Sequence, residues 1–120
     1  MGRRRAGTTA AQLLEWLEAL PEFAEEETWG HPTFRVRGRM FGTIDADGEV
    51  ATLKAAPEEQ QALLAQDPAT YSYPPYVGKH GWVSVRLSGA DPEQVRELAV
   101  EAWRRTAPKR VVKAWDAGGQ

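Results

Sequence analysis

The sequence predicts an α+β fold, a two-layer domain in which an antiparallel sheet carries its helices on one face. Apolar residues recur at helical spacing in two places, around Leu13 and around Leu98. Between them, short segments alternate apolar and polar residues and are separated by turns rich in Gly and Asp. Strands grouped in this way, with helices between the groups, favour an antiparallel sheet. The predicted element order is α-β-β-β-α-β-β-α.

The first helix is predicted to begin at a capping box. Thr9 can accept a hydrogen bond from the backbone of Gln12, whose side chain can reach back. Pro21 lacks a backbone donor and should end the helix near Leu20. The buried stripe of this helix is predicted to be Leu13, Trp16, Leu17 and Leu20. The acidic segment Glu22–Glu27 is predicted to be a loop.

A meander of three strands is predicted between His31 and Ala55. In the first strand, Phe34 and Val36 alternate with arginines, which predicts one buried face and one solvated face. Gly and Asp between the strands tolerate positive φ and favour hairpin turns. The segments that follow are a turn at Gly38-Arg39, a strand at Met40–Ile44, a turn at Asp45–Gly48 and a strand at Glu49–Ala55.

The second half of the chain begins with a short helix. Pro57, followed by acidic residues, suits its first turn, and Asp67-Pro68 ends it. The segment Ala69–Val77 is predicted to be an ordered loop with some extended structure, and Gly78–Gly81 a tight turn. The alternation in the next strand predicts Val83, Val85 and Leu87 inward and Trp82, Ser84 and Arg86 outward.

The last long helix is predicted to start at Asp91 and Pro92. Its apolar stripe extends from Val95 to Trp103. Pro108 either ends this helix or begins a short final turn that extends through Trp115.

Composition limits the class of protein. The chain has 120 residues, no cysteine, 15 basic and 17 acidic residues, and a formal charge of −2. This length suits one domain, predicted over residues 8–116, between a disordered basic tail at 1–7 and a frayed terminus at 117–120. The lack of cysteine excludes disulfides and thiol nucleophiles. No membrane-spanning stretch or secretory signal is recognised, so we expect a cytoplasmic protein.

Two segments, Thr28–Phe41 and Pro75–Val83, resemble a known family. The first contains Trp29-Gly30-His31-Pro32 and the second Gly78-Lys79-His80-Gly81-Trp82, and Ala102-Trp103 and Ala107–Arg110 add to the match. With these motifs the chain resembles the MmcQ/YjbR family. The resemblance implies a two-layer fold similar to type III secretion chaperones, with some likeness to frataxin. It also implies DNA binding through hairpins likened to a double wing, and it brings no catalytic residues.

The basic residues of the strands are the candidate nucleic-acid-binding residues. Arg35 and Arg37 are expected on one sheet face, with Arg39 and Lys79 at two hairpin tips and an outward Trp82 beside them. Arginine can bind phosphate in bidentate fashion, and aromatic rings stack on bases. The alternative is an ordinary solvated face. The full set is Arg35, Arg37, Arg39, Lys79, Arg86, Trp82, Lys109 and Arg110, with Tyr76 as a further aromatic neighbour.

A second basic cluster and an acidic cluster divide the charge along the chain. Residues 103–113 hold five bases and no acid, whereas residues 8–31 hold six acids and no base. The bases either add phosphate contacts or are cations placed at a helix C-terminus. The acids either form a solvated helix face or, in a frataxin-like protein, hold a hard cation loosely. His31 and His80 are expected to hydrogen-bond nearby backbone groups.

The leading hypothesis is a small non-enzymatic module that binds DNA or another polyanion. Motifs for nucleophilic catalysis, phosphate loops, dinucleotide binding and metal hydrolysis are absent from the sequence. No cofactor and no resident metal are predicted. The alternatives are a chaperone-like module that binds a protein partner, and weak metal binding on the acidic first helix. The sequence leaves the oligomeric state and the strand order open.

Overall fold

The computed structural model describes residues 7–118, which form ten helices and strands and two short 3₁₀ turns. In chain order the helices and strands are α1 (Ala10–Glu18), β1 (Phe23–Thr28), β2 (His31–Val36), β3 (Arg39–Ile44), β4 (Val50–Leu53), α2 (Pro57–Gln66), β5 (Tyr71–Ser72), β6 (Val83–Arg86), α3 (Pro92–Arg104) and α4 (Lys109–Gly118). The 3₁₀ turns are Gly78–His80 and Leu87–Gly89. Most of the predicted basic tail, residues 1–6, lies outside the described residues.

The six strands form one antiparallel sheet in the order β1-β2-β3-β4-β6-β5. Helices α1 and α3 pack against each other, and α3 also packs against β3 and β4. The predicted α+β fold class is confirmed. Fully buried side chains from both layers form the core, among them Leu13, Leu17, Phe34, Phe41, Leu53, Val83, Val85, Val95 and Trp103.

The predicted start of α1 is confirmed atom by atom. The backbone N of Gln12 donates to Thr9 Oγ1 at 3.1 Å, and the backbone N of Thr9 donates to Gln12 Oε1 at 2.9 Å. Leu13 and Leu17 are buried on the inner side of the helix, as predicted, whereas Trp16 is only partly buried. The indole N of Trp103 donates to Pro21 O at 3.1 Å and ties the end of this segment to α3.

The prediction of a loop at Glu22–Glu27 is wrong, because Phe23–Thr28 is strand β1. Glutamate has low strand propensity, so local sequence gives little sign of it. The strand forms because a two-residue turn at Trp29 and Gly30 pairs β1 with β2 over six residues. Both turn residues have positive φ, 54° and 86°, as a type I′ hairpin turn requires.

The C-terminal segment also differs from the prediction. Pro108 precedes a separate ten-residue helix, α4, and residues 117 and 118 continue that helix. Its partly buried side chains include Val111, Val112 and Trp115, which pack against the core. The Trp115 ring lies edge-on to that of Trp103, with centroids 5.2 Å apart. The observed order is therefore α-β-β-β-β-α-β-β-α-α.

Candidate nucleic-acid interface

Strand register gathers cations at one end of the sheet. Val36 pairs with Arg39 across β2 and β3, and Leu53 pairs with Val83 across β4 and β6. Residues just after β2 and β4, and just before β3 and β6, therefore lie at the same end. We call this the basic end and define it by Arg37, Arg39, Lys54, Lys79 and Arg110.

The turn that carries Lys79 is fixed by a buried amide. Gln60 of α2 is 3% exposed, and its side-chain N donates to Gly78 O at 2.8 Å and to Trp82 O at 2.7 Å. Gly81 has φ of +97°, and a Cβ there would lie 2.8 Å from Ala55 O. The turn is therefore packed directly against the end of β4, which carries Lys54.

Most cations of the basic end carry no ion pair. Within residues 7–118, no carboxylate lies within 4.0 Å of the charged groups of Arg39, Lys54, Lys79 or Arg110. Arg37 differs, because its guanidinium binds both carboxylate oxygens of Glu22. This hydrogen-bonded pair lowers the pKa of Glu22 and raises that of Arg37. Acids also border this end, at Glu58 and Glu59 in the first turn of α2.

An exposed aromatic ring stands in the loop just before the Lys79 turn. Tyr76 is 89% exposed and has φ of +66°, a conformation that non-glycine residues seldom adopt. The neighbouring Tyr73 is partly covered, because its ring packs against the backbone of Gly78. Tyr76 is thus the aromatic side chain at this end that solvent can reach most fully.

Three predicted site residues lie elsewhere or are covered. Trp82 is 8% exposed, so the prediction that it faces outward is wrong. The loop before it folds back, and the backbone N of Trp82 donates to Val77 O. Arg35 lies within β2, is partly buried, and bonds to Gly38 O and to Glu26. Arg86 lies at the opposite end of the sheet, where it donates to Ala69 O.

Arg37 also departs from its predicted position. It lies in the two-residue turn after β2, with φ of 54°, and so does not share a strand face with Arg35. The turn comprises Arg37 and Gly38, one residue earlier than the predicted Gly38-Arg39. Arg39 is the first residue of β3 and is exposed beside the turn, close to its predicted position.

The second basic cluster divides between two helices. Arg104 and Arg105 end α3 and pair with Asp116 and Glu59, respectively. Lys109 and Arg110 begin α4. The C-terminus of α3 therefore accounts for Arg104 and Arg105, whereas Lys109 and Arg110 lie at a helix N-terminus, which disfavours cations. Arg110 lies beside Arg37 and Glu22, in a hollow that Trp115 also lines.

The acidic and histidine clusters show no metal site. Among residues 7–118, no three His, Asp or Glu side chains converge in a way that would hold a metal ion. Neither His31 nor His80 forms a side-chain hydrogen bond within that part of the chain, so the predicted backbone bonds are not observed. No helix in residues 7–118 has the length and apolar character needed to cross a membrane.

Sequence reasoning missed Lys54 as a member of the site. The sequence places it only within the predicted strand Glu49–Ala55. Its position near the end of that predicted strand is a usable signal, since strand ends in an antiparallel sheet meet the turns of their neighbours. The pairing that brings it beside Lys79 was not available from local sequence.

Comparison with known proteins identifies the family. The YjbR family model matches residues 18–105. The uncharacterized protein Rv2570 of Mycobacterium tuberculosis and the uncharacterized protein Mb2600 of Mycobacterium bovis are each 31% identical to the chain over 75 residues, 62% of its length. The match spans 58% of the length of these relatives.

A solved structure supports the same fold. The crystal structure of Deinococcus radiodurans protein DR2400, with the family-model domain DUF419, superposes with a TM-score of 0.74 at 24% identity. The superposition covers 84% of this chain and 80% of that one. At this level of identity the likeness concerns the fold alone. Because the family model matches most of the chain, the protein belongs to the YjbR family.

Proposed function

We propose that the protein is a non-enzymatic, cytoplasmic module that binds the phosphate backbone of DNA at its basic end. The observation that supports the proposal is that Arg39, Lys54, Lys79 and Arg110 lie at one end of the sheet, and none of them has an ion pair among residues 7–118. A cation without a protein carboxylate can exchange its counterion for a phosphate. Release of counterions then provides most of the binding free energy.

Tyr76 gives this end a second kind of contact. Its ring is 89% exposed next to the turn that holds Lys79. Stacking of an unpaired base on an exposed aromatic ring contributes about 1–3 kcal/mol. Tyr76 therefore replaces Trp82 in the proposal, and we expect DNA with unpaired bases to bind more tightly than a fully paired duplex.

Salt dependence tests the proposal. Fluorescence anisotropy of labelled duplex DNA is measured from about 50 to about 200 mM salt. Four phosphate contacts predict a slope of log affinity against log salt of about −3 to −4. Arg39→Glu with Lys79→Glu should weaken binding and make the slope shallower by about 2.

The matched control reverses the charge of a residue that lies outside the basic end. Arg96 lies on the exposed side of α3 and pairs with Glu93, so Arg96→Glu changes the net charge without altering the basic end. We expect this variant to keep the wild-type slope. Absence of DNA binding at low salt, or an equal loss of affinity in Arg96→Glu and in the variant with Arg39→Glu and Lys79→Glu, would contradict the proposal.

A further inference from the structure

Trp29 lies at the opposite end of the sheet, and the stability of the fold does not explain its exposure or its backbone conformation. It occupies the first central position of the β1–β2 turn, with φ of 54°, and is 91% exposed. Left-handed backbone costs a non-glycine residue about 1–2 kcal/mol, and an exposed indole recovers little of it. Pairing of Thr28 with His31 fixes the turn, so the backbone of Trp29 is held in place by the two strands.

Two hollows lie beside this hairpin, on either side of the Asp45–Gly48 turn. One, of about 200 Å³, lies under the sheet, and its apolar lining includes Leu14, Phe34 and Ile44. The other, of about 400 Å³, is on the outer side and reaches Trp29. Both are lined by Asp45, whose carboxylate also accepts hydrogen bonds from two backbone N–H groups.

Carboxylates without an ion pair lie in and near these hollows. We call this region the acidic end and define it by Trp29, Glu25, Glu27, Asp45, Asp47 and Glu49. Within residues 7–118 none of its five carboxylates lies within 4.0 Å of a lysine, arginine or histidine nitrogen. Glu25 and Glu27 alternate along β1 and so share one face of the strand, and Glu25 lines the smaller hollow.

The edge of the sheet at this place is open. β1 is the outermost strand, and its outer side has no strand partner in the described part of the chain. An extended segment can add to such an edge by backbone hydrogen bonds, with every second side chain on the same face. Acidic side chains on the edge discourage pairing with a neutral or acidic strand.

We infer that the acidic end is a docking surface for a basic, extended segment of a partner protein, which adds as a strand to β1. Lysine or arginine residues at alternate positions meet Glu25 and Glu27. A long cationic side chain lays its apolar stem on Leu14 and Pro32 in the smaller hollow, with its charged group at Asp47. Trp29 packs on the segment and attracts a further cation to its ring face.

The negative charge of the acidic end determines which kinds of partner can bind there. Phosphates of a nucleic acid are repelled by the five carboxylates, so this surface and the DNA-binding proposal are independent. A second copy of the chain could place its basic end here, which is an outcome of the test below. The surplus of negative charge beside an apolar hollow favours a separate basic segment, because such a segment satisfies both features at once.

The probe is a fluorescein-labelled peptide in which lysine and threonine alternate over about nine residues. Its binding to the full chain is measured by fluorescence anisotropy. The same peptide with glutamine for lysine should bind at least about tenfold more weakly. A peptide of equal composition with its lysines in one block should bind about fivefold more weakly, because half of its cations then face away from Glu25 and Glu27.

Matched variants locate the site on the protein. Trp29→Gly is compatible with a type I′ turn and should reduce binding of the alternating peptide about tenfold. Tyr76→Gly removes an equally exposed aromatic residue with positive φ from the basic end and should leave peptide binding unchanged. Glu25→Gln with Asp47→Asn should weaken binding, whereas Glu93→Gln with Glu97→Gln on α3 should not.

Three results would overturn the inference: no binding of the alternating peptide, equal binding of the block peptide, or unchanged binding by Trp29→Gly. Sedimentation that shows self-association, lost both in Trp29→Gly and in Arg39→Glu, would assign the surface to a second copy instead. Arg39→Glu with Lys79→Glu should keep peptide binding and Trp29→Gly should keep DNA binding, so either proposal can fail without the other.

Discussion

The two ends of the sheet carry opposite charge and are built in different ways. At the basic end, the Lys79 turn is held by a buried glutamine and by a glycine that packs against the backbone of residues 55–57. At the acidic end, the Trp29–Gly30 turn stands in open space, and no atom lies within 4 Å of where a Cβ on Gly30 would be. The Lys79 turn therefore depends on tertiary packing, whereas the Trp29–Gly30 turn depends on hairpin geometry alone.

A formal charge of −2 describes neither end. Within the described residues, the cations of the basic end and the carboxylates of the acidic end are almost all unpaired. The exception is Arg37, which Glu22 neutralises. Arg86 is a cation that lies at the acidic end, where it is bound to backbone and to Ser88. Separation of charge along the strands allows a nearly neutral chain to offer two surfaces of opposite sign.

The largest expected effect comes from breaking the basic end at Gly81. In Gly81→Ala, the new Cβ would meet Ala55 O and Pro57 N at 2.8 Å while φ stays at +97°. We expect a loss of about 3 kcal/mol in the free energy of unfolding. Gly30→Ala, with similar φ but open space, should cost only about 1 kcal/mol. Urea unfolding of both variants measures the contrast, and equal losses would contradict it.

Removal of the buried amide should be the next largest effect. Gln60→Leu takes the side-chain donor away from Gly78 O and Trp82 O and leaves both carbonyls buried. We expect a loss of about 2 kcal/mol in the free energy of unfolding. Amide hydrogen exchange should be faster in residues 78–82 and unchanged in the β1–β2 turn. Uniform acceleration at both ends would show that the two ends are not independently held.

A variant in neither end provides an internal reference. Tyr71 is 2% exposed and its hydroxyl donates to Gln94 Oε1 at 2.6 Å. Tyr71→Phe should cost about 1 kcal/mol at neutral pH. DNA binding and peptide binding should both keep their wild-type affinities, and a change in either would show that the edge strand β5 is coupled to that end.

The same tyrosine predicts a loss of stability in alkali. Burial, followed by the nearby charges of Asp67 and Asp91, raises the pKa of Tyr71 from 10 to about 12. Because the folded-state value is the higher, its contribution is complete below pH 10 and is lost as the pH rises towards 12. Tyr71→Phe should lack this part of the alkaline decline, as measured by urea unfolding at several pH values.

The smallest expected effect concerns the ion pair of the basic end. Arg37 lowers the pKa of Glu22 by hydrogen bonding. The pair therefore stabilises the fold above the ordinary pKa of 4.5, and this contribution is lost as the pH falls through the lowered value. In thermal unfolding, Glu22→Gln should show a smaller decrease of the melting temperature at acid pH. Glu27→Gln, which keeps the ion pair, should show the wild-type decrease. Equal curves would show that the exposed pair contributes nothing.

Local sequence predicted those features that depend on neighbouring residues. The Thr9–Gln12 cap, the inward positions of Val83 and Val85, and the exposure of Arg39 all follow from spacing and turn chemistry. Strand β1 was missed because its three consecutive glutamates suit a loop as well as an edge strand. Trp82 was misplaced because alternation describes only the strand, and the burial of this residue depends on a loop that folds back over its start.

The sequence by itself therefore determined the fold class, the caps, most strand faces and the residue types available for binding. Only the tertiary structure decided which charges meet, because strand order brings residues that are far apart in the chain, such as Arg39 and Lys79, to the same end of the sheet. It also decided which cations are already neutralised, as Arg37 is by Glu22. Electrostatic interaction depends on distance in space, and a linear order of charges does not specify that distance.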